Sequence, residues 1–232
     1  MSAVVIVPTY NERANIAELT DRLLQLPVEL DILFIDDGSP DGTGALEEEL
    51  ARKHARVSVI QRGRKLGFAS ALITGYREAL KRSYSFVLQM DADLSHDPAA
   101  IPAMIDAAKS YDLVLGSRYI GGVRVIDWEM SRIFLSWMAN TYARAITRVP
   151  VHDVTTGFRC FRRETLEKLD LKRLKANGYG LQIEIAYRVW KSGGRLGEVP
   201  IIFYGRRSGK SKMTRAMVFE AGLLVWRLRL TR

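Results

Sequence analysis

The chain has 232 residues, of which 47% are hydrophobic and 26% charged, enough for one sizeable core without disulfides or structural metals. Lys and Arg number 35 against 26 Asp and Glu, and the formal net charge of +9 favours an anionic partner: a nucleic acid, a phosphorylated substrate or an acidic membrane surface. Cys160 is the only cysteine, which excludes an intrachain disulfide and a cysteine-based zinc site.

The start of the sequence predicts a strand at Val4–Val7, without the basic segment and apolar run of a signal peptide. The most apolar stretch elsewhere, Ala216–Trp226, is too short to cross a bilayer and is interrupted by Glu220. We therefore expect a cytoplasmic protein in a reducing compartment, which lies on a membrane surface if it contacts one at all.

Strand-like apolar runs alternate with helical patterns through the first half of the chain. The predicted strands are Val4–Val7, Asp31–Asp36, Val57–Ile60, a run that begins at Phe86, and Leu113–Gly116. The predicted helices are one with the stripe Ile16, Leu19, Leu23 and Leu26, then Thr43–Lys53, Ala69–Arg82 and one that begins near Pro98. This order predicts a single α/β domain with a mostly parallel central sheet flanked by helices, whose ligands gather at the carboxyl ends of the strands.

Two carboxylates, Asp91 and Asp93, directly follow the apolar strand that begins at Phe86. Neighbouring ionised carboxylates repel each other unless a cation lies beside them, and Mg²⁺ and Mn²⁺ prefer such oxygen ligands. The alternative is a solvated strand-to-helix turn in which Asp97 caps the helix that Pro98 begins. A cap requires one acid, however, so we predict a divalent cation at Asp91 and Asp93.

Polar residues also follow the first two predicted strands. Asn11 and Glu12 could hold a ligand or simply open the first helix, and Asp36–Asp37 supplies one acid more than a turn requires. Carboxylates in this cleft could accept hydrogen bonds from a nucleobase or ribose, while Tyr10 could stack on or flank the base. No glycine-rich phosphate loop is present, and the charges of 62–67 are expected to be solvated.

The stretch Trp128–Arg148 has apolar residues at helical spacing, which favours an ordinary core face. On this helix Arg132 and Ser136 lie one turn apart and can reach the same group. A catalytic domain over 1–212 is expected to be followed by a basic helix over 213–232. That helix either lies in the lipid headgroup region or packs on its own domain.

Seven motifs in order resemble the inverting family 2 glycosyltransferases, and more narrowly the polyprenol-phosphate (dolichol-phosphate) mannosyltransferases. The motifs begin at Pro8, Asp36, Met90, Gly116, Asp153, Gly178 and Gly209, so the resemblance covers nearly the whole chain. It implies a single Rossmann-like type A glycosyltransferase domain. It also implies transfer of mannose from GDP-mannose to a polyprenyl monophosphate, with Mg²⁺ or Mn²⁺, at the cytoplasmic face of a membrane, with or without a separate membrane-spanning partner.

The resemblance also implies roles for single residues. The residues that match guanosine-binding positions are Pro8, Tyr10, Glu12, Ile35 and Asp37. The residues that match the ribose, diphosphate and metal segment are Asp91, Ala92 and Asp93, and Arg118 matches a sugar-nucleotide contact. Arg206 and Lys212 match cations that close over the diphosphate, and Arg132 and Ser136 match positions that bind the lipid phosphate. The third metal position falls on Ser95, where relatives carry Gln; because a hydroxyl is shorter, a water molecule between Ser95 and the metal is the alternative.

Four residues are expected to act in catalysis: Asp91, Asp93, Arg118 and Arg132. Glu184 is either an acid facing the acceptor or a helix residue paired with Arg188. Within the enzyme class, the alternative is transfer of another sugar, such as glucose from UDP-glucose, to the same lipid. Other classes are a catalytically inactive sugar-nucleotide sensor and a nucleic-acid-binding module. We expect no nucleic-acid partner, because no such motif appears and the acidic strand ends repel phosphates unless a metal is bound.

Overall fold

Parallel strands and crossover helices alternate through most of the chain, as the sequence predicts. A computed structural model describes residues 2–174, 176, 178–205 and 215–230. Its strands are β1 (Ala3–Thr9), β2 (Leu30–Asp36), β3 (Val57–Gln61), β4 (Phe86–Gln89), β5 (Leu113–Ser117), β6 (Val125–Ile126), β7 (Arg159–Arg162), β8 (Leu196–Pro200) and β9 (Phe203–Tyr204). Its helices are α1 (Arg13–Leu24), α2 (Thr43–Lys53), α3 (Phe68–Leu80), α4 (Ile101–Ala108), α5 (Met130–Thr147), α6 (Arg163–Lys168), α7 (Tyr179–Lys191) and α8 (Arg215–Leu230), and a 3₁₀ turn over Pro98–Ala100 precedes α4.

Seven strands form the central sheet in the order β3-β2-β1-β4-β7-β5-β8. Every neighbouring pair is parallel except those made by β7, which runs antiparallel to both β4 and β5. The two short strands β6 and β9 pair separately and in parallel. The predicted α/β class with a mostly parallel sheet is therefore confirmed.

The sheet separates two apolar cores, because successive side chains of a strand point to opposite faces. In β1, Val4 and Ile6 pack on one side with residues of α3, α7 and α8, whereas Val5 and Val7 pack on the other with α1, α2 and α4. Strands covered on both faces are continuously apolar, as β1 is. The result is a three-layer arrangement of helices, sheet and helices.

The antiparallel strand β7 was not predicted from the sequence. It has only four residues, Arg159 to Arg162, with an arginine at each end, so neither apolar alternation nor an apolar run indicates a strand. Its central Cys160 is a buried, free thiol, as the sequence suggests for a small packing residue. Because β7 starts where β4 ends, with Arg159 opposite Gln89, it brings the turn before it to the carboxyl edge of the sheet.

Glu47 of α2 is a fully buried acid. The Thr9 hydroxyl lowers the pKa of its carboxyl, but no Lys or Arg of the described residues forms an ion pair with it. Burial raises the pKa of Glu47 to about 8, and the carboxylates of Asp36 and Asp41 act in the same direction. The folded state is therefore most stable when Glu47 is protonated, and ionisation of its carboxyl lowers the free energy of unfolding.

We expect the Glu47→Gln variant to lose much of the alkaline destabilisation of the wild-type protein. An acid with an unfolded-state pKa near 4.5 and a folded-state pKa of about 8 lowers the free energy of unfolding as the pH rises between these values. The gain from the substitution at pH 8.5 is expected to be roughly 2–4 kcal/mol. Urea unfolding at pH 5 and pH 8.5 measures it, with exposed Glu48→Gln as the control. Equal pH dependence in wild type and Glu47→Gln would contradict this assignment.

Candidate active site

A tight turn over residues 91–96 places the two predicted metal-binding acids at the end of β4. Asp93 is buried and Asp91 is half-buried. The backbone N–H and hydroxyl of Ser95 both donate to Asp93 Oδ1, at 3.1 and 2.6 Å. Leu94 between them is buried and has a φ of +59°, a left-handed conformation that is unfavourable for a bulky side chain. The surrounding core therefore holds this turn in a strained shape.

His96 closes the turn from the inside. Its Nδ1 atom accepts a hydrogen bond from the Asp91 backbone N–H at 3.3 Å. The buried ring packs against Phe158 and Phe203, with centroid distances of 5.0 and 5.2 Å. Burial lowers the pKa of His96 to about 4, so the imidazole is neutral at physiological pH and its Nδ1 lone pair can accept the hydrogen bond.

The residues of this turn fit a hard divalent cation. Asp91 and Asp93 offer carboxylate oxygens, and Mg²⁺ is commonly held by one or two carboxylates with water and substrate phosphates as the other ligands. Space is kept at Asp91 by Gly157, where a Cβ atom would lie 3.3 and 3.4 Å from the two carboxylate oxygens. Among the described residues no group of three or more His, Cys, Asp or Glu side chains could hold a metal.

On the nucleotide side, both acids that follow β2 are engaged by the protein. Asp36 is buried and accepts hydrogen bonds from the N–H groups of Gly38 and Ser39, each at 3.0 Å. Asp37 accepts from the N–H groups of Leu66 and Gly67 at 2.9 and 2.7 Å. Asp36 thus builds its own turn, while Asp37 fixes the segment after β3 to the end of β2.

The basic segment 62–67 is only partly solvated, contrary to the expectation from its sequence. The side chain of Arg62 is only 5% exposed and forms a 3.1 Å ion pair with Asp37. Lys65 lies over the ring of Tyr10, with its ammonium nitrogen 4.1 Å from the centroid. The sequence places these charges after a strand, but the 25-residue separation from Asp37 hides the pairing.

The remaining predicted nucleotide residues gather at the ends of β1 and β2. Pro8 and Ile35 are register partners, and Ile35 is fully buried. Glu12 is buried, and its carboxylate accepts a 2.9 Å hydrogen bond from the Asn15 amide. Ala92 is buried within the acidic turn. Their roles toward a nucleotide stay predictions.

Arg118, just beyond β5, forms a buried bidentate ion pair with Asp153. The Nε–Oδ2 and Nη2–Oδ1 distances are 2.6 and 2.7 Å, and the Arg118 backbone N–H donates to Oδ2 at 3.0 Å. Burial alone would raise the pKa of Asp153, but the adjacent guanidinium holds it below its usual value. The guanidinium carbon also lies 5.3 Å from the ring centroid of Phe203 and 5.7 Å from that of Trp128.

The two predicted acceptor residues on α5 join the same cluster. The Arg132 guanidinium lies over the ring of Trp128, 3.9 Å from its centroid. The Ser136 hydroxyl accepts a 2.7 Å hydrogen bond from the hydroxyl of Tyr119, whose ring is 5.4 Å from the Arg118 guanidinium. The structure therefore brings Arg118, Arg132 and Ser136 together around two aromatic rings.

The prediction that the apolar stripe of α5 forms a core face is wrong. The buried residues of this helix are Asn140, Ala143 and Thr147, whereas its apolar stripe faces outward. Exposed on α5 are Met130, Phe134, Leu135, Trp137, Met138 and Tyr142, and exposed on α8 are Leu223, Trp226 and Leu230. We call these nine side chains the apolar face. Helical spacing shows that apolar residues share a stripe, but it does not show what covers that stripe.

Helix α8 both packs on the domain and contributes to the apolar face. Val225 and Leu228 are buried in the main core. The Tyr142 hydroxyl connects the two helices, since it donates to the Gly222 carbonyl at 3.2 Å and accepts from Trp226 Nε1 at 3.0 Å. None of the helices that the structure describes combines the length and apolar character needed to cross a bilayer.

Several further expectations meet different outcomes. Arg206 and Lys212 lie outside the described residues. Glu184 pairs with Arg188, at 2.9 and 2.7 Å, so the structural alternative for this acid is confirmed.

Gly157, Phe203 and Trp128 were not identified as parts of the site from sequence. No residue pattern marks Phe203 or Trp128, whereas Gly157 lies within one of the quoted motifs.

A mostly parallel α/β sheet with paired carboxylates at the end of a central strand defines a type A glycosyltransferase fold. Solved structures agree: glucosyl-3-phosphoglycerate synthase from Mycobacterium tuberculosis, in complex with Mn²⁺, UDP-glucose and phosphoglyceric acid, superposes with a TM-score of 0.74 at 20% identity, over 98% of this chain and 79% of that one. The complex of the same protein with Mg²⁺ and UDP superposes with a TM-score of 0.71 at 19% identity, again over 98% of this chain and 79% of that one.

The family model for glycosyl transferase family 2 matches residues 4–170. Polyprenol monophosphomannose synthase of Mycolicibacterium smegmatis is 44% identical over 94% of this chain and 83% of its own length. Undecaprenyl-phosphate mannosyltransferase of Micrococcus luteus is 38% identical over 98% of this chain and 93% of its own length. The chain belongs to glycosyl transferase family 2, in the branch that contains these polyprenyl-phosphate mannosyltransferases.

Proposed function

We propose that the protein transfers mannose from GDP-mannose to a polyprenyl monophosphate, with inversion at the anomeric carbon, and releases GDP and polyprenyl-phosphate mannose. Two relatives that match nearly the whole chain are named for mannose transfer to a polyprenyl phosphate or for synthesis of its product. The guanine nucleotide and the stereochemistry are the parts of this proposal that rest on the motif resemblance.

One observation carries the proposal: a short series of ring contacts joins the acidic turn to α5. His96 contacts Phe203 at 5.2 Å, Phe203 contacts Trp128 at 5.2 Å, and Trp128 contacts the Arg132 guanidinium at 3.9 Å. The acids that suit a sugar-nucleotide diphosphate thus lie close to a cation at the start of an apolar-faced helix. This neighbourhood suits a reaction between a nucleotide sugar and a lipid phosphate.

Asp91 and Asp93, with Ser95 or a water molecule bound to it, would hold Mg²⁺ or Mn²⁺. When bound, the cation would offset negative charge on the departing diphosphate. Arg132 offers paired donors that suit a phosphate, and its place at the start of α5 would hold the acceptor in line with the sugar. Arg118 contacts the same Trp128 ring, and its ion pair with Asp153 fixes its guanidinium beside this position.

No general base is required for this reaction. The second pKa of a phosphate monoester is about 6, so the nucleophile is largely ionised at neutral pH. Glu184, the acid that could face the acceptor, is already engaged by Arg188 and also accepts from the Ala176 N–H at 3.0 Å. Charge stabilisation and alignment would therefore supply most of the catalysis.

The decisive assay combines purified protein with GDP-mannose, polyprenyl phosphate and Mg²⁺ or Mn²⁺, and detects the mannolipid by mass spectrometry. We expect product, and none in the presence of a chelator. Product with UDP-glucose but not with GDP-mannose would show that the donor is UDP-glucose. Donor binding without turnover would identify a catalytically inactive sensor. Salt-sensitive nucleic-acid binding without nucleotide-sugar binding would overturn the enzyme class. Product from the protein alone would show that no membrane-spanning partner is needed.

Peripheral association with the cytoplasmic face of a membrane is the second part of the proposal. The nine side chains of the apolar face lie on two neighbouring helices, whereas ordinary exposed apolar residues are scattered singly over a protein surface. This face borders Arg132, which would bind the acceptor phosphate. Exposed arginines of α8, Arg227 and Arg229, lie next to it and suit anionic headgroups. Helix α8 would act in this contact together with α5.

We expect the double variant Phe134→Ser/Trp137→Ser to bind anionic vesicles at least about 10-fold more weakly, because it removes two of the largest exposed side chains from the apolar face. Turnover with a long-chain acceptor in vesicles should fall in parallel, whereas turnover with a short, water-soluble prenyl phosphate should be nearly unchanged. Vesicle sedimentation measures binding, and Tyr111→Ser, an exposed aromatic outside the apolar face, is the matched control. Unaltered sedimentation of the double variant would contradict the membrane assignment.

A further inference from the structure

The acidic turn is held in a shape that its own sequence does not favour. Leu94 has a φ of +59°, a conformation that residues other than glycine rarely adopt, and directly follows Asp93, the second of the two acids proposed to hold the metal. Strained backbone of this kind persists only where neighbouring groups fix it. The question is which group fixes the first acid, Asp91, since Ser95 already fixes Asp93.

We propose that His96 is a positioning residue that holds the Asp91 backbone through its Nδ1 atom and thereby sets the separation and direction of the two metal-binding carboxylates. This role rests on the metal site of the proposed function. The imidazole does not contact the substrate or the metal in this assignment. It acts by accepting the Asp91 N–H five residues back along the chain, which closes the turn into a ring.

The geometry supports a fixed acceptor rather than a simple packing residue. At the end of β4, the Met90 N–H still bonds to the Ile6 carbonyl of β1, but the next N–H, that of Asp91, bonds to His96. The imidazole thus continues the hydrogen bonding of the strand by one residue. Without an acceptor there, the Asp91 N–H at the edge of the core would lack this bond, and the backbone that carries the carboxylate could rotate.

His96 is itself held from outside the turn. Its backbone forms an isolated bridge with Phe203, and the Tyr204 N–H donates to the Ser95 carbonyl at 3.0 Å. The rings of Phe158 and Phe203 fix the orientation of the imidazole. The acceptor is therefore placed by Phe158, which directly precedes β7, and by β9, both later in the chain, and not by the turn alone.

The test compares two substitutions that separate hydrogen bonding from packing. His96→Asn keeps an acceptor oxygen near the position of Nδ1, whereas His96→Phe keeps a planar ring without an acceptor. Mn²⁺ affinity is measured by electron paramagnetic resonance in the presence of GDP, beside thermal unfolding and steady-state kinetics. His54→Phe, the same change at a histidine after α2 and outside the site, is the control.

We expect His96→Phe to weaken Mn²⁺ binding by about 10-fold to 100-fold, the range typical of groups that orient metal ligands, and His96→Asn to stay within about 3-fold of wild type. The kcat should follow the Mn²⁺ affinity, while the KM for the acceptor should not change. Equal Mn²⁺ affinity in His96→Phe and wild type would overturn the inference, as would equal losses in both variants at matched thermal stability. Absence of Mn²⁺ binding by the wild-type protein would instead overturn the proposed metal site itself.

Discussion

Replacement of Asp93 by asparagine is expected to reduce mannose transfer by about 10³-fold, with a melting temperature close to that of the wild type. The amide keeps an acceptor oxygen for the backbone N–H and hydroxyl of Ser95, so the turn should retain its shape. It removes the negative charge, however, and with it most of the attraction for Mg²⁺ or Mn²⁺. Steady-state assays at several metal concentrations measure the effect.

The matched control is Asp106→Asn, which makes the same change at an exposed position of α4. It should leave activity unaltered. An Asp93→Asn variant with activity within tenfold of wild type, at low as well as high metal concentration, would show that this carboxylate is not a metal ligand. Loss of activity together with loss of the folded state would point to a structural role, which circular dichroism distinguishes.

Replacement of Asp153 by asparagine is expected to lower the free energy of unfolding by about 3–5 kcal/mol. Asp153 is fully buried, and three hydrogen bonds from Arg118 converge on its carboxylate. The variant leaves the Arg118 guanidinium buried without its counter-charge, which costs more than the loss of one hydrogen bond. Denaturant unfolding at neutral pH measures the change.

A double variant separates the charge from the packing. Arg118→Met/Asp153→Leu removes both charges, so it should be more stable than Asp153→Asn, although it should be inactive if Arg118 acts on the substrate. A double variant as unstable as the single one would show that the ion pair itself, and not an uncompensated arginine, determines stability. The exposed pair Lys109–Asp106 serves as a control, since its loss should cost little.

The Arg118–Asp153 ion pair should also make the stability of the protein depend on pH in the acid range. The folded-state pKa of Asp153 lies below its ordinary value of 3.8, so its contribution to stability is present above that value and is lost as the pH falls through the folded-state pKa. The Asp153→Asn variant should lack this acid-induced loss. The comparison belongs below pH 4, because Glu47 changes stability only at higher pH.

Much of the fold is predictable from local pattern. The helix over Thr43–Lys53 has the predicted bounds, and the first strand differs from its predicted range by one residue at its start and two at its end. The alternation of strands and helices is enough to predict the parallel sheet and the edge at which ligands gather. Strand β7 is the main omission, because four residues with charged ends carry no periodic signal.

The site was predictable to a smaller extent. The pair Asp91 and Asp93 is visible because two acids after a buried strand exceed what a turn needs. The partner of Arg118 is not visible, since Asp153 is 35 residues away and joins it only when β7 folds between β4 and β5. The apolar face of α5 was assigned to the core because sequence periodicity does not distinguish a covered stripe from an uncovered one.

The buried thiol of Cys160 has a practical consequence for spectroscopy. This thiol is fully buried in β7, and burial raises its pKa, so maleimide dyes should not modify it in the folded protein. A cysteine introduced at Ser131, an exposed position in the first turn of α5, would then be the single reactive handle without any need to remove the native one. A fluorophore attached there could report, through quenchers placed at known depths in the acyl chains, how far this helix enters the lipid.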